Sequence, residues 1–354
     1  MNKQSKYPLV SIIIVNWNGE ALLEDCLTSL TRMSYKNWEL IVVDNASKDK
    51  SVDVINRFKP KGIRLELIVN KENLGFVGGN NQGVKVAHGK YVLLLNNDTT
   101  VKKDLLNVLV ARIENDAKIA VVQPKILMMD DPRYLDNAGS FITKIGFLRH
   151  WGFQSLDSKE FDKETEIFAA KGACMLIRKD LISRIGLFDP DFFMYFEESD
   201  FCFRVWLAGY KILYYPKTAI YHKVGFSIKR SDVWQLNYHY YKNRITSLIK
   251  NLDNLNFILV VPLHIVLSLG ISFIFLLRGG TKNSLLIVRA IWWNVIHLPE
   301  TLHKRQEVQK LRKVSDEYIF KTVGRKVNLI KILLFKDNFF KDFKRIEKDI
   351  KSTS

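Results

Sequence analysis

The chain has 354 residues, 47% of them hydrophobic, which is ample for the packed core of one enzyme-sized domain plus an accessory segment. Its formal net charge of +17 calls for an anionic partner: nucleic acid, anionic lipid or a phosphate-bearing substrate. Cys26, Cys174 and Cys202 lie far apart with no C-x-x-C pair, which argues against a disulfide framework or a thiolate metal site and fits a reducing compartment.

The opening residues, MNKQSKYPLV, are polar and contain no signal-type apolar region, so the N-terminal domain is expected in the cytoplasm. VSIIIVNW (10–17) and WELIVVDN (38–45) read as buried parallel strands, continuous in β-branched residues. GEALLEDCLTSL between them has helical spacing, and RLELIVN (64–70) and KYVLLLNND (90–98) repeat the pattern. Such β-α-β alternation predicts an α/β fold with a mainly parallel sheet flanked by helices, and ligands gather at the carboxyl ends of its strands. Those ends carry Asn16 and Asn18, then Asp44 and Asn45, then Asn70 and Asn73, then Asn96, Asn97 and Asp98. Asn and Asp are ordinary turn residues, but their recurrence at four successive strand ends favours a polar ligand.

NKENLGFVGGNNQGV (70–84) holds four glycines that would let backbone approach a phosphate, although it has neither a Walker lysine nor a dinucleotide fingerprint. In LLLNNDTTV, Asn96 and Asp98 are two apart on a segment read as extended, so they would point the same way and could share one Mg²⁺ or Mn²⁺ with substrate phosphates. The middle segment (about 120–230) reads as the second half of the same domain. It contains DPDFFMYFEESDFCFR (189–204), where Glu197, Glu198 and Asp200 sit among six aromatic residues. Carboxylates in such surroundings need a cation, a metal or a catalytic task.

After Tyr241 the character changes. Residues 256–277 form an uncharged apolar run long enough to cross a bilayer, and a shorter run at 284–298 contains Arg289. Positive charge is dense after residue 300, so a single crossing would carry a Lys-rich tail outward, against the positive-inside tendency. The expectation is a re-entrant or in-plane helix pair on the cytoplasmic face of the cell membrane, with a membrane surface and no nucleic acid as partner. Pro262 and His264 keep a buried soluble helix open as the alternative. The domain reading is 1–240 for the catalytic unit, 241–320 for the membrane-associated helices and 321–354 for a basic tail.

In order along the chain, VSIIIVNWNG, ELIVVDNAS, NLGFVGGNNQG, LLLNNDT, GACMLIRK, GLFDPDFFMYFEESDFCFRVWLAGY and HKVGFS resemble the family 2 glycosyltransferases, inverting enzymes of the GT-A fold, and particularly their rhamnosyltransferase-like branch. The resemblance implies a nucleotide-sugar donor, with rhamnose from dTDP-rhamnose foremost, and a lipid-linked or polysaccharide acceptor in cell-surface glycan synthesis. It implies donor contacts from Asn16, Asn18, Asp44, Asn73, Gly75, Asn80, Asn96 and Asn97. Asp98 stands in the D-x-D-like element as metal ligand, with His222 beside metal or diphosphate and Mg²⁺ or Mn²⁺ as cofactor. Relatives read Glu-Asp-x-Asp where this chain has Glu197-Glu198-Ser199-Asp200, which makes Glu198 the base. The longer side chain at that position keeps Glu197 in contention, and Asp200 with Arg204 would orient the element through an ion pair. Two rival readings are a metal-dependent nucleotidyltransferase and a non-catalytic basic membrane-surface scaffold.

Overall fold

In the computed structural model, which describes residues 7–224 and 233–326, the expected alternation forms one ten-stranded mixed sheet with a separate two-stranded hairpin. The order is β1 (Val10–Asn16), α1 (Glu20–Thr31), β2 (Trp38–Asp44), α2 (Ser51–Arg57), β3 (Leu65–Val69), α3 (Gly75–Val86), β4 (Tyr91–Leu95), β5 (Thr99–Val101), α4 (Leu105–Glu114), β6 (Ile119–Met128) and β7 (Leu135–Asn137). Then come β8 (Ser140–Ile142), β9 (Leu148–His150), β10 (Thr165–Glu166), β11 (Cys174–Arg178), α5 (Lys179–Ile185), α6 (Glu197–Leu207) and β12 (Lys211–His222). Five helices close the described chain: α7 (Val233–Asn251), α8 (Asn254–Leu277), α9 (Thr281–Ile296), α10 (Leu298–Lys310) and α11 (Asp316–Val323).

Strand alternation explains the layers. Ile12 and Ile14 of β1 enter one core with Leu23, Leu27 and Leu30 of α1, while Ile13 enters the other with Val77 of α3. Successive side chains leave opposite faces of a strand, so β1 and β2 bury both faces only because helices cover each side. β3 is at the sheet edge, which accounts for its half-buried residues.

Two connections determine what reaches the rim at the strands' carboxyl ends. β1, β2, β3 and β4 are mutually parallel, but β11 runs antiparallel between β4 and β6. Its first residue, Cys174, therefore pairs with Leu95 at the carboxyl end of β4, and the preceding loop with Lys171 lands on that rim. β5 pairs antiparallel with β12, with Thr99 opposite His222, which sets Asp98 beside the end of β12.

Two expectations are corrected. The glycines of 70–84 do not form an open phosphate-cradling loop: Gly75, Gly78, Gly79 and Gly83 all lie in α3. A Cβ on Gly79 would fall 2.7 Å from Val15 and one on Gly83 2.5 Å from Ile13, so these glycines allow α3 to press onto β1. The boundary at 240/241 also fails, because it falls inside α7. Ile245, Leu248 and Ile249 of α7 share one core with the sheet and with Val260 of α8 and Val308 of α10, so these helices extend the core of the sheet domain. Most of the basic tail, 327–354, and Gly225–Ser227 of HKVGFS lie outside the described residues.

The Gly83→Val variant should push α3 off β1 and lower the unfolding free energy by about 1–3 kcal/mol. Urea unfolding checks this; an unchanged midpoint would mean that α3 and β1 are not tightly seated.

Candidate functional site

The floor of the rim is a network of the predicted strand-end residues. Asn16 donates to Asp44 Oδ1 (2.8 Å) and accepts from Asn97 Nδ2 (2.7 Å), while Ser47 bonds both Asp44 oxygens. Asn18, at φ 50°, donates its N–H to Ser47 Oγ (2.8 Å) and accepts from Lys48 N–H (2.7 Å). Asp44 and Asn16 are fully buried, so they hold the turns after β1 and β2 together. Asn73 accepts from Gly75 N–H (2.9 Å), shaping the start of α3, where Gly75 has φ +71° and a Cβ would strike Phe193. Asn80 is 1% exposed and donates to Phe76 O within α3 (2.8 Å), so it packs the helix and does not line the rim as expected.

Asp98 differs from these in keeping a buried oxygen, Oδ1, without a hydrogen-bond partner. His222 Nε2 lies 3.2 Å from it, and His222 Nδ1 is 2.8 Å from Asp136, which in turn accepts from Lys171 Nζ (2.7 Å). Burial alone would lower the His222 imidazole, but the two flanking carboxylates outweigh it and raise it to about 9. Burial would raise Asp136, yet Lys171 and His222 hold it well below the usual carboxylate range. The expectation that Asn96 and Asp98 project together from an extended segment is corrected. The chain turns at 97–98, and Thr99 Oγ1 closes that turn on Asn96 O (2.7 Å), leaving Asn96 half-buried.

The acidic stretch starts α6 from a strained approach. Tyr195 (φ 65°) and Phe196 (φ 69°) are both left-handed, a conformation that aromatic residues rarely adopt. Asn243 of α7 steadies them by donating to Met194 O (2.9 Å) and Tyr195 O (2.7 Å). The bend brings Glu197 and Glu198 into the first turn of α6, each with one buried carboxyl oxygen unpartnered. Burial, followed by the neighbouring Glu198 charge, pushes Glu197 well above its ordinary value. Burial also raises Glu198, but the hydrogen bond from Glu197 and the Lys171 charge hold it back. The two acids titrate as one coupled pair, with both carboxyls raised by burial.

Asp200 points away into a buried ion cluster. It accepts from Arg204 Nε (3.2 Å), as expected, and also from Lys250 Nζ (3.1 Å) and Asn251 Nδ2 (2.8 Å). Lys250 also holds Asp189 (2.5 Å), which Lys304 of α10 approaches from the other side (2.5 Å). Arg204 donates in addition to the carbonyls of Ile185, Gly186 and Leu187. This cluster locks α6 to α7 and α10, so Asp200 supports the site without facing it.

Asp98, His222, Asp136 and Lys171 thus form one chain of contacts, and the Lys171 charge also acts on Glu198. Sequence reasoning missed Asp136 and Lys171. Lys171 sits directly before GACMLIRK, but nothing local marks Asp136, whose partners are 35 and 86 residues away. A divalent cation that displaced the proton shared between them would find a carboxylate oxygen on Asp98 and an imidazole nitrogen on His222, and among the described residues no third His, Cys, Asp or Glu completes a site. Such a pair fits an ion that takes its remaining ligands from water and a bound diphosphate.

Comparisons with known proteins bear on the fold that carries these residues. The family model described as Glycosyl transferase family 2 matches residues 11–186. The low-salt glycan biosynthesis hexosyltransferase Agl10 of Haloferax volcanii is 28% identical over 207 residues, 55% of this chain and 61% of that protein. The poly-β-1,6-N-acetyl-D-glucosamine synthase of Staphylococcus aureus is 24% identical over 209 residues, 58% of this chain and 48% of that protein. The chain therefore spans about half to three-fifths of these two curated relatives. Among solved structures, the mannosyltransferase PcManGT of Pyrobaculum calidifontis, in complex with GDP-Man and Mn²⁺, superposes with TM-score 0.52 at 17% identity, covering 94% of this chain and 89% of that one. These likenesses establish a GT-A-type fold.

Removing Lys250 tests the supporting cluster. Burial favours the neutral acids, but Lys250, with Lys304 at Asp189 and Arg204 at Asp200, outweighs it and depresses both carboxyls. Their stabilisation is therefore present above the unfolded carboxylate pKa of about 4 and lost as pH falls below it. Lys250→Met should destabilise the fold by about 3–5 kcal/mol at neutral pH and flatten that acid-side loss. Urea titrations on both sides of the unfolded pKa measure both effects.

Proposed function

We propose, from a chain that carries a family 2 glycosyltransferase domain, that the protein transfers a sugar from a nucleoside diphosphate to an acceptor hydroxyl with inversion at the anomeric carbon. The observation that carries this reading is the connected set Asp98, His222, Asp136 and Lys171, whose lysine charge also reaches Glu198.

The Asn16, Asp44 and Asn97 network forms the floor against which the nucleotide would rest, and Asn18, Asn73, Gly75 and Asn96 shape its edges. Asp98 Oδ1 and His222 Nε2 would hold a divalent cation, Mg²⁺ or Mn²⁺, whose charge offsets the negative charge that develops on the leaving diphosphate. Asp136 fixes the His222 ring by accepting from Nδ1, which leaves Nε2 facing Asp98.

On the acceptor side Glu198 takes the proton of the attacking hydroxyl. The hydroxyl oxygen forms the new bond to the anomeric carbon, the bond from that carbon to the diphosphate oxygen breaks, and nucleoside diphosphate leaves. No second acid is needed, because the diphosphate leaves without being protonated. Burial raises Glu198 toward the pH at which a carboxylate is an effective base, and the Glu197 hydrogen bond and the Lys171 charge limit that rise. The relatives named for glycan and polysaccharide synthesis support a lipid-linked or polysaccharide acceptor in cell-surface glycan synthesis. The finer proposal is a dTDP-rhamnose donor, which rests on the resemblance of the motifs.

Glu198→Gln should lower turnover by at least about 100-fold while nucleotide-sugar binding persists. Radiolabel transfer and calorimetry on the same preparation test this, and near-normal turnover would move the base to Glu197. Asp98→Ala should weaken donor binding in Mn²⁺ by about tenfold or more and leave metal-free binding unchanged. Thermal-shift titrations with dTDP-rhamnose and GDP-mannose, with and without Mn²⁺, check that prediction and rank the donors.

A further inference from the structure

Among the described residues, exposed large apolar side chains are concentrated on one helical hairpin: nine lie on α8 and five on α9, against five elsewhere. On α8 the outward residues recur at helical spacing, as in Leu255, Leu259, Val266 and Phe273, and Leu285 and Trp292 continue the surface on α9. The opposite face is fastened to the catalytic core. Near the middle of α8, His264 bonds Ile145 O through Nδ1 (2.8 Å), its ring lies 4.5 Å from Phe147, and Ser272 bonds Ser284 of α9 (2.9 Å). α9 is tied to α7 by Asn294, which accepts from Thr246 (2.8 Å) and donates to Lys242 O (3.1 Å).

We propose that this hairpin is a one-leaflet docking surface for an anionic lipid bilayer, lying in the plane of the membrane and not crossing it. With 24 residues, α8 is about 36 Å long and could span a hydrocarbon core of about 30 Å. A crossing, however, would place its midpoint at the bilayer centre. His264 would then draw the loop 143–147 into hydrocarbon, together with its backbone polar groups and Lys144, which pairs with Glu317 (3.5 Å). Irregular lipid-facing backbone is not tolerated at that depth. Lying flat, the same helix buries only its outward face and leaves the catalytic core in water.

Charge selects the occupant. From Asn254 to Ile296 the chain has no acidic residue and three basic ones, Arg278, Lys282 and Arg289. A leaflet with anionic headgroups complements that set, whereas the same face of a second copy offers no counter-charge. This seating is independent of the sugar-transfer reading and is tested without turnover.

The full chain is added to preformed vesicles of phosphatidylcholine with phosphatidylglycerol and followed by flotation. Expected results are co-flotation, about tenfold weaker binding to vesicles lacking the anionic lipid, and loss of binding in Leu259→Gln/Phe273→Gln with circular dichroism and melting preserved. Because the native cysteines are buried, Lys282→Cys can be labelled alone. In-plane docking leaves it open to a membrane-impermeant maleimide outside sealed vesicles. Protection of Lys282→Cys would mean that α8 crosses and would overturn the proposal. So would undiminished binding of the double variant with dependence on residues 327–354, or a dimer that the double variant dissociates without any flotation of the wild type.

Discussion

The molecule is organised by the cost of holding carboxylates away from water. A buried acid must meet a cation or hydrogen-bond donors or give up its charge, and two lysines serve the buried acids around α6 and β12. Lys250, with Arg204 and Lys304, neutralises Asp189 and Asp200 and ties α6 to the C-terminal helices. Lys171 neutralises Asp136 and extends its field to Glu198. Glu197 and Glu198 each keep a buried carboxyl oxygen without a hydrogen-bond partner, and Asp98 Oδ1 meets only the His222 ring. Supporting and reacting acids are thus separated by whether the protein completes their coordination.

The same pairing joins the two halves of the molecule. α7 carries Asn243, which steadies the left-handed residues before Glu197, and Lys250, which anchors Asp200 in the first turn of α6. α9 packs on α7, and α10 contributes Lys304 to the cluster. The apolar hairpin and the proposed base therefore belong to one continuously packed body, and the orientation of that body on a surface would also orient the mouth of the cleft. A mobile membrane anchor on a linker would have no such effect.

Much of this was legible in the sequence, because strand periodicity and polar strand ends are local signals. β1, β2 and β4 appear where continuous apolar runs predict them, and DPDFFMYFEESDFCFR shows its acids and its aromatics in the same sixteen residues. Among the corrected readings, one turns on a distant strand and one on a tight turn that interrupts strand alternation. Four glycines in fifteen residues look alike whether they admit a phosphate or a neighbouring strand, and only the position of β1 against α3 decides between them. Asn96 and Asp98 obey strand alternation only if the strand continues, and the Thr99 hydroxyl ends it.

The sequence by itself determined the alternating elements, the placement of amides and acids at strand ends, and the abrupt change to an apolar, acid-free hairpin, since each depends on residues within a few positions of one another. Only the tertiary structure decided that β11 runs backwards, carrying Lys171 to the rim, and that β5 pairs with β12, setting Asp98 against His222. It also decided that Asp136 reaches both His222 and Lys171. These are contacts across tens of residues, made by strand pairing and burial, and no short window of sequence contains both partners.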